Sequence, residues 1–418
     1  MIRASLSAAD DRSAAAVAFW PSLLLLSVLL LLPVGRALSD AAVVLAAIAG
    51  VVLAWRARAT LGAQAGVRLA AILFACYWLP ALVSAPGAVA PQRSWETVAT
   101  LLRFLPFALF MALALRGADW TRLTAGAAMI VVLWLLDAWV QAFTGYSIGG
   151  AMSAERLSGV FGTNLKLGPV LAVLAPFVFA AAQRQWGARG IAGAFLFQLP
   201  PILLAGSRAG WLMFALVTLA FAWRAARSPL RFVGWSAAAA ALLGIAALVA
   251  WYGSGAFDAR LERTLRVFGG SSAALDEASA GRVRIWSTAG RMIAAHPLRG
   301  VGVRGFRYAY PQYAAPGDAF VDTASDEGAS HAHQIVLEVL SETGAIGLGF
   351  WLAGAYVALR AWRRASAAAR ERALAPALAL AAMCFPLDTH LAFYSAWWGL
   401  LFWWLLALYA AALGSDDA

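Results

Sequence analysis

The chain has 418 residues, 62% hydrophobic and 13% charged, with a formal net charge of +11 at pH 7. A soluble domain is roughly half apolar and about a quarter charged, so this composition excludes one and makes the lipid bilayer the first partner. The two cysteines, Cys76 and Cys384, fall inside apolar runs, which argues against a disulfide framework or a metal site.

A hydrocarbon core of ~30 Å needs about 20 apolar residues per helix. Twelve runs qualify: 15–35, 38–55, 67–86, 97–115, 123–143, 167–183, 190–206, 209–223, 232–253, 335–359, 373–390 and 393–413. The first has no small-residue cleavage pattern after it and reads as a retained span, not a signal peptide. With the N-terminus placed inside, seventeen arginines fall on the cytoplasmic side and five basic residues (Arg36, Arg93, Arg156, Lys166 and Arg208) in the short outer loops. That bias fits cytoplasmic termini and accounts for most of the positive charge without a nucleic acid. The expected architecture is an all-α polytopic membrane protein, a single integral domain over residues 1–418.

Two outer segments stand out. Residues 144–166 read T-G-Y-S-I-G-G-A-M-S-A-E-R-L-S-G-V-F-G-T-N-L-K. Residues 254–334 form a large loop between the ninth and tenth runs, with nine arginines and eight acids. Within it, Ile285, Trp286, Ala289, Met292 and Ile293 recur at helical spacing. They predict an amphipathic helix near 282–296, stopped by Pro297 and lying at the membrane surface.

Arginines that the topology does not explain are Arg208, in G-S-R-A-G-W-L, and Arg282 with Arg284, in G-R-V-R-I-W. A guanidinium is a planar fork of donors suited to phosphate oxygens. Headgroup contact is the simpler account of Arg284, Arg291, Arg299 and Arg307. Only four histidines occur, and two of them, His331 and His333, stand in S-H-A-H-Q-I-V-L-E-V-L-S-E-T-G-A-I-G. A neutral imidazole accepts a hydroxyl proton near neutral pH. On a continuous helix His333 and Glu338 would lie about 140° apart, whereas Gln334 and Glu338 would share a face. His331 would then point elsewhere, and His296 reads as a helix-end residue. Arg103, Asp137, Glu338, Asp388 and His390 are ionisable groups inside or at the ends of spans, and therefore functional suspects. Structural pairing is the favoured reading of Arg103 and Asp137. No Walker loop, H-E-x-x-H site or G-x-S-x-G elbow occurs. The acidic pairs Asp276–Glu277 and Asp326–Glu327 lack metal-ligand spacing. No metal and no cofactor are expected.

From His333, the order H-Q, nine residues, then G-A-I-G (Gly344 to Gly347) resembles the outer-loop signature of bacterial O-antigen ligases. R-A-G-W-L, with Arg208 and Leu212, is similar to a second ligase signature. G-R-V-R-I-W through H-P-L-R-G-V-G-V-R-G-F, Gly281 to Phe306, resembles the core of the wider O-antigen ligase/polymerase superfamily. Gln141, Gly145, Arg156, Gly159, Phe161 and Asn164 resemble its earlier outer-loop pattern. The resemblance covers roughly residues 130 to 400.

The resemblance implies a GT-C-like, metal-independent, inverting glycosyltransferase of the bacterial inner membrane, working on the periplasmic face. Its donor would be O-antigen on undecaprenyl pyrophosphate and its acceptor a sugar hydroxyl of lipid A–core. It implies His333 as general base and Arg208 and Arg282 as pyrophosphate ligands. Arg156, Lys166, Arg284, Arg304, His331, Gln334, Glu338 and Asp388 would contact substrate. The extra His331 stands where many relatives have asparagine or another residue, which leaves two candidates for the proton acceptor. An O-antigen polymerase, with another lipid-linked glycan as acceptor, is the alternative within the same chemistry. A polytopic lipid or glycan transporter is the alternative of another class; against it stand the lack of an internal repeat and the gathering of arginines and histidines on one side.

Overall fold

Helices account for most of the computed structural model, which describes residues 19–116, 119–152, 156–253, 279, 281–387 and 392–415. In chain order they are α1 (Phe19–Leu30), α2 (Arg36–Arg56), α3 (Ala65–Ser84), α4 (Pro91–Leu101), α5 (Phe104–Ala114), α6 (Trp120–Thr144), α7 (Leu167–Leu204), α8 (Arg208–Ala226) and α9 (Pro229–Gly253). Then follow α10 (Arg282–Ala295), α11 (Phe306–Tyr313), α12 (Ile335–Arg364), α13 (Ala367–Met383) and α14 (Ala396–Gly414). Among the described residues, eight helices are long and apolar enough to cross a membrane, with α4 and α5 joined as one of them. The chain is a multi-pass membrane protein. Helix α7, 38 residues long, covers two of the runs read from sequence; non-helical backbone at Gly187 divides it between them.

Helix α14 is the axis of the bundle. It is apolar all round and almost wholly buried, the pattern of a helix enclosed by others. Trp403 and Trp404 are fully buried on it. Trp404 satisfies its indole N–H by donating to the Leu25 carbonyl at 2.9 Å, which fixes α1 to the axis. Trp403 stacks on Phe104 of α5 and meets Tyr77 of α3 edge-on. Helix α2 packs on α5, α12 on α3, α13 on α14, and α7 on α6 and α8. Arg103 pairs with Asp40 at 2.7 Å, not with Asp137.

On the side of the bundle where α12 begins, a second apolar cluster forms around Ile285, Ala289, Met292, Phe306, Ala309, Tyr310 and Ala332. Helix α10 spans 282–295, and its apolar stripe enters this cluster. Trp286 and Ile293, read as part of that stripe, are only half-buried.

The segment after α10 is laced into α12. Val301 and Gly302 donate to the carbonyls of Ser341 and Glu342, and Ala345 and Ile346 donate to those of Pro297 and Leu298. These bonds satisfy carbonyls and amides that α12 leaves open where it breaks at Gly344 (φ 67°). A Cβ on Gly344 would overlap the Leu298 carbonyl, and one on Gly300 would overlap the Glu342 backbone. The G-V-G and G-A-I-G stretches are therefore two sides of one backbone-to-backbone contact.

Candidate functional site

His331 and His333 lie just ahead of α12, outside the helix. Ala332 between them is buried in the second cluster, and Ile335 two residues on is buried in the main core. The chain must turn sharply between these anchors, and His333 adopts a left-handed backbone (φ 53°) to do so. That conformation costs an ordinary residue about 1–2 kcal/mol, and such strain concentrates at functional positions. The turn brings the two imidazoles together, with ring centroids 3.8 Å apart. The helical-wheel placement of His331 on a different face is thereby corrected. Ser330 Oγ lies 2.9 Å from His331 Nδ1 and orients that ring.

Gln334 is the N-cap of α12, with extended backbone. Its side-chain oxygen accepts from the Leu337 amide at 2.6 Å, and its Nε2 donates to the Pro386 carbonyl at 2.7 Å. It ties the histidine turn to the segment that follows α13, and it does not act as a same-face partner of Glu338.

Glu338 and Glu342, one turn apart on α12, are both fully buried. Arg304 lies within Coulombic range of both carboxylates, and its own amide donates to Glu342 Oε2 at 2.8 Å. Among the described residues neither Glu338 oxygen completes a hydrogen bond of ordinary geometry, although the Phe393 and Tyr394 amides face that carboxylate. Two acids thus share one guanidinium in a buried pocket walled by Tyr77 and Tyr394. Burial pushes the Tyr394 hydroxyl well above the usual tyrosine range. Glu338 and Arg304, read from sequence as substrate contacts, form an internal charge cluster beneath the histidines.

Arg282 and Arg284 belong to the first turn of α10; Arg282 is half-buried and Arg284 exposed. One turn on, the Trp286 indole donates to the Ala332 carbonyl at 3.1 Å, which clamps α10 to the peptide between the two histidines. His296 caps the other end of α10, with Nε2 2.8 Å from the Tyr313 hydroxyl, a structural contact.

A second group of basic residues surrounds the segment 144–166. Fully buried Gln141 organises it, since its oxygen accepts from the Ser158 and Gly159 amides at 2.9 and 2.8 Å. Asp137 accepts from the Ile148 amide at 2.8 Å. The hairpin of β1 (Tyr146–Ser147) and β2 (Gly150–Ala151) is held over them. Leu157 donates to the Leu204 carbonyl, and the neighbouring Arg156 side chain lies flat against Gly206, two residues before Arg208. Arg208 is exposed at the first position of α8, behind the N-cap Ser207. Lys166 sits 4.3 Å over the Trp397 ring, and burial pushes its ammonium below the usual lysine range.

The stretch around α14's start touches both groups. Trp397 carries Lys166 and packs on Phe161, while Phe393 and Tyr394 wall the Glu338 pocket. Asp388 and His390 lie outside the described residues. Trp286, Gln141 and Tyr394 were not singled out for these roles by the sequence; an aromatic four residues after a helix start carries no signal until its partner carbonyl is known. Among the described residues no three histidine, cysteine or acidic side chains gather as a metal site.

Residues 193–352 match the family model described as O-Antigen ligase. The match includes Arg208, Arg282, Arg284, Arg304, His331, His333, Gln334 and Glu338, and bears out the resemblance to the O-antigen ligase/polymerase superfamily over this region. No curated protein matches the chain.

Proposed function

We propose, from a chain that carries the O-antigen ligase/polymerase domain in residues 193–352, that the protein is an inverting glycosyltransferase of the periplasmic face of the inner membrane. It transfers O-antigen polysaccharide from undecaprenyl pyrophosphate to a sugar hydroxyl of lipid A–core. The acceptor oxygen attacks the anomeric carbon as the bond to the pyrophosphate oxygen breaks on the opposite side. His333 takes the hydroxyl proton, a contribution of typically ~10²–10⁴ in rate. The electron pair of the broken bond leaves with the pyrophosphate.

Arg208 and Arg282 stabilise that departing charge. Each is the first residue of a helix, so the free amides of α8 and α10 add partial positive charge on the same side as the guanidinium. Such stabilisation is strongest once bound substrate shields the donors from water. The donor arrives activated, so no nucleotide is consumed, and single displacement needs no covalent enzyme intermediate. Arg156, Lys166, Arg284 and Asp388 are assigned to holding the pyrophosphate and nearby sugars.

The observation that carries this reading is the Trp286–Ala332 hydrogen bond. It couples the helix that begins with Arg282 to the peptide that holds both histidines, so leaving-group ligand and base move as one unit. The test uses purified protein in detergent with undecaprenyl-pyrophosphate-linked O-antigen, lipid A–core and a chelator. Capped core with inverted anomeric configuration is expected. Lengthened lipid-linked glycan with untouched core would mark a polymerase, and retention of configuration would refute single displacement.

A further inference from the structure

The far end of α12, opposite the histidines, carries features that the glycosyl-transfer site does not use. Beyond its break at Gly344, α12 continues over residues 345–364, so its last residue lies roughly 29 Å from the break, about the depth of the hydrocarbon core. In that turn Arg360, Arg363 and Arg364 are exposed and line an open recess with Tyr356 and Leu359. None of the three arginines forms an ion pair with a described residue, whereas Arg224 at the same side of the bundle pairs with Glu371. Leu359 is also part of the wall of an apolar cavity of about 530 Å³ between α3, α12, α13 and α14. Along α12 that cavity runs from Phe350 to Trp362, roughly 18 Å, close to one leaflet's depth of hydrocarbon.

We propose that this joined recess and cavity bind one anionic phospholipid from the leaflet at which α12 ends, with its phosphate on Arg360, Arg363 and Arg364 and an acyl chain in the cavity. Three guanidiniums without an acidic partner among the described residues select an anionic headgroup, since each basic residue at a membrane surface adds attraction to anionic lipid. Their fork geometry favours phosphate over a diffuse counter-ion atmosphere. The apolar walls accept a hydrocarbon chain, and the shared Leu359 makes headgroup and chain sites continuous. An occupant from the opposite leaflet would have to cross the full membrane to reach the arginines.

The chain's only two cysteines, Cys76 and Cys384, both line the cavity and report on its occupant. Full-length protein in detergent is delipidated and titrated with phosphatidylglycerol or phosphatidylcholine. Bound lipid is read by native mass spectrometry, and Cys76 alkylation by a membrane-permeant maleimide. Phosphatidylglycerol is expected to bind at least about tenfold more tightly than phosphatidylcholine and to slow Cys76 alkylation. Arg360→Gln/Arg363→Gln/Arg364→Gln should erase that preference, and Gly354→Leu should lose chain binding while the arginines remain. Equal binding of the two lipids, or an unchanged preference in the triple variant, would overturn the proposal. So would protection of Cys76 by undecaprenyl pyrophosphate but not by phosphatidylglycerol, because the cavity reaches Phe393 and would then hold the donor's chain. Both readouts are independent of glycan transfer.

Discussion

His331 and His333 hold their rings with centroids 3.8 Å apart, although only one residue separates them in the chain. Two positive charges at that distance would repel by about 4 kcal/mol at an effective dielectric of ~20. The strained turn at His333 brings two imidazoles to one place, and Ser330 Oγ lies beside the His331 ring.

The clamp between α10 and the histidine turn rests on a single donor. Trp286→Phe keeps the ring and removes the bond to Ala332, with a net loss of about 1 kcal/mol. Transfer should slow by roughly tenfold or less while the melting temperature in detergent hardly moves. An unchanged kcat/KM would show that the two segments are held in register by other contacts.

The contact between the two glycine-rich stretches should tolerate no side chain. Gly344→Ala places a Cβ against the Leu298 carbonyl at φ 67° and should cost more than about 2 kcal/mol, seen as a lower Tm and loss of transfer. Gly290→Ala is the control: nothing lies within 4 Å of its Cβ position in α10, so stability should rise by about 0.5–1 kcal/mol.

The buried acids above Gly344 make an asymmetric prediction. Two carboxylates share Arg304, so Glu338→Gln removes surplus charge and should be neutral or stabilising in thermal unfolding. Arg304→Met leaves both acids without their cation and should destabilise by about 3–5 kcal/mol. The opposite order would mean that Glu338 is held ionised by a cation other than Arg304.

Tyr310 links the second cluster to pH. Its hydroxyl donates to Asp318 at 3.0 Å, and burial pushes it well above the usual tyrosine range. With the folded value above the unfolded value of about 10, its contribution is fully present below pH ~10 and is lost as pH rises beyond it. Tyr310→Phe should lower neutral-pH stability by about 1 kcal/mol and flatten the alkaline loss relative to wild type. An equally steep loss in the variant would assign it to other groups.

The apolar runs, the Gly–Val–Gly and Gly–Ala–Ile–Gly stretches and the histidine motif were legible because composition, periodicity and motif order are local properties; the turn that joins the two imidazoles was not. Pairings across the fold were not. Arg103 finds Asp40, 63 residues away in sequence, and Asp137 takes a loop amide instead of an arginine. Glu338 looked like a substrate contact because an ionisable group inside a span draws suspicion; its partner Arg304 arrives from a loop whose path the spacing did not reveal. Gln334 looked like part of a helix face, yet it ends as a cap whose second bond reaches Pro386.

The most direct measurement is core capping by purified wild type, His333→Ala and His331→Ala, each shown to be folded, with lipid-linked O-antigen, lipid A–core and a chelator. Wild type should cap the core, His333→Ala should lose about 10²-fold or more, and His331→Ala should keep a measurable fraction. Full activity in His333→Ala, or capping abolished only by His331→Ala, would contradict His333 as the proton acceptor.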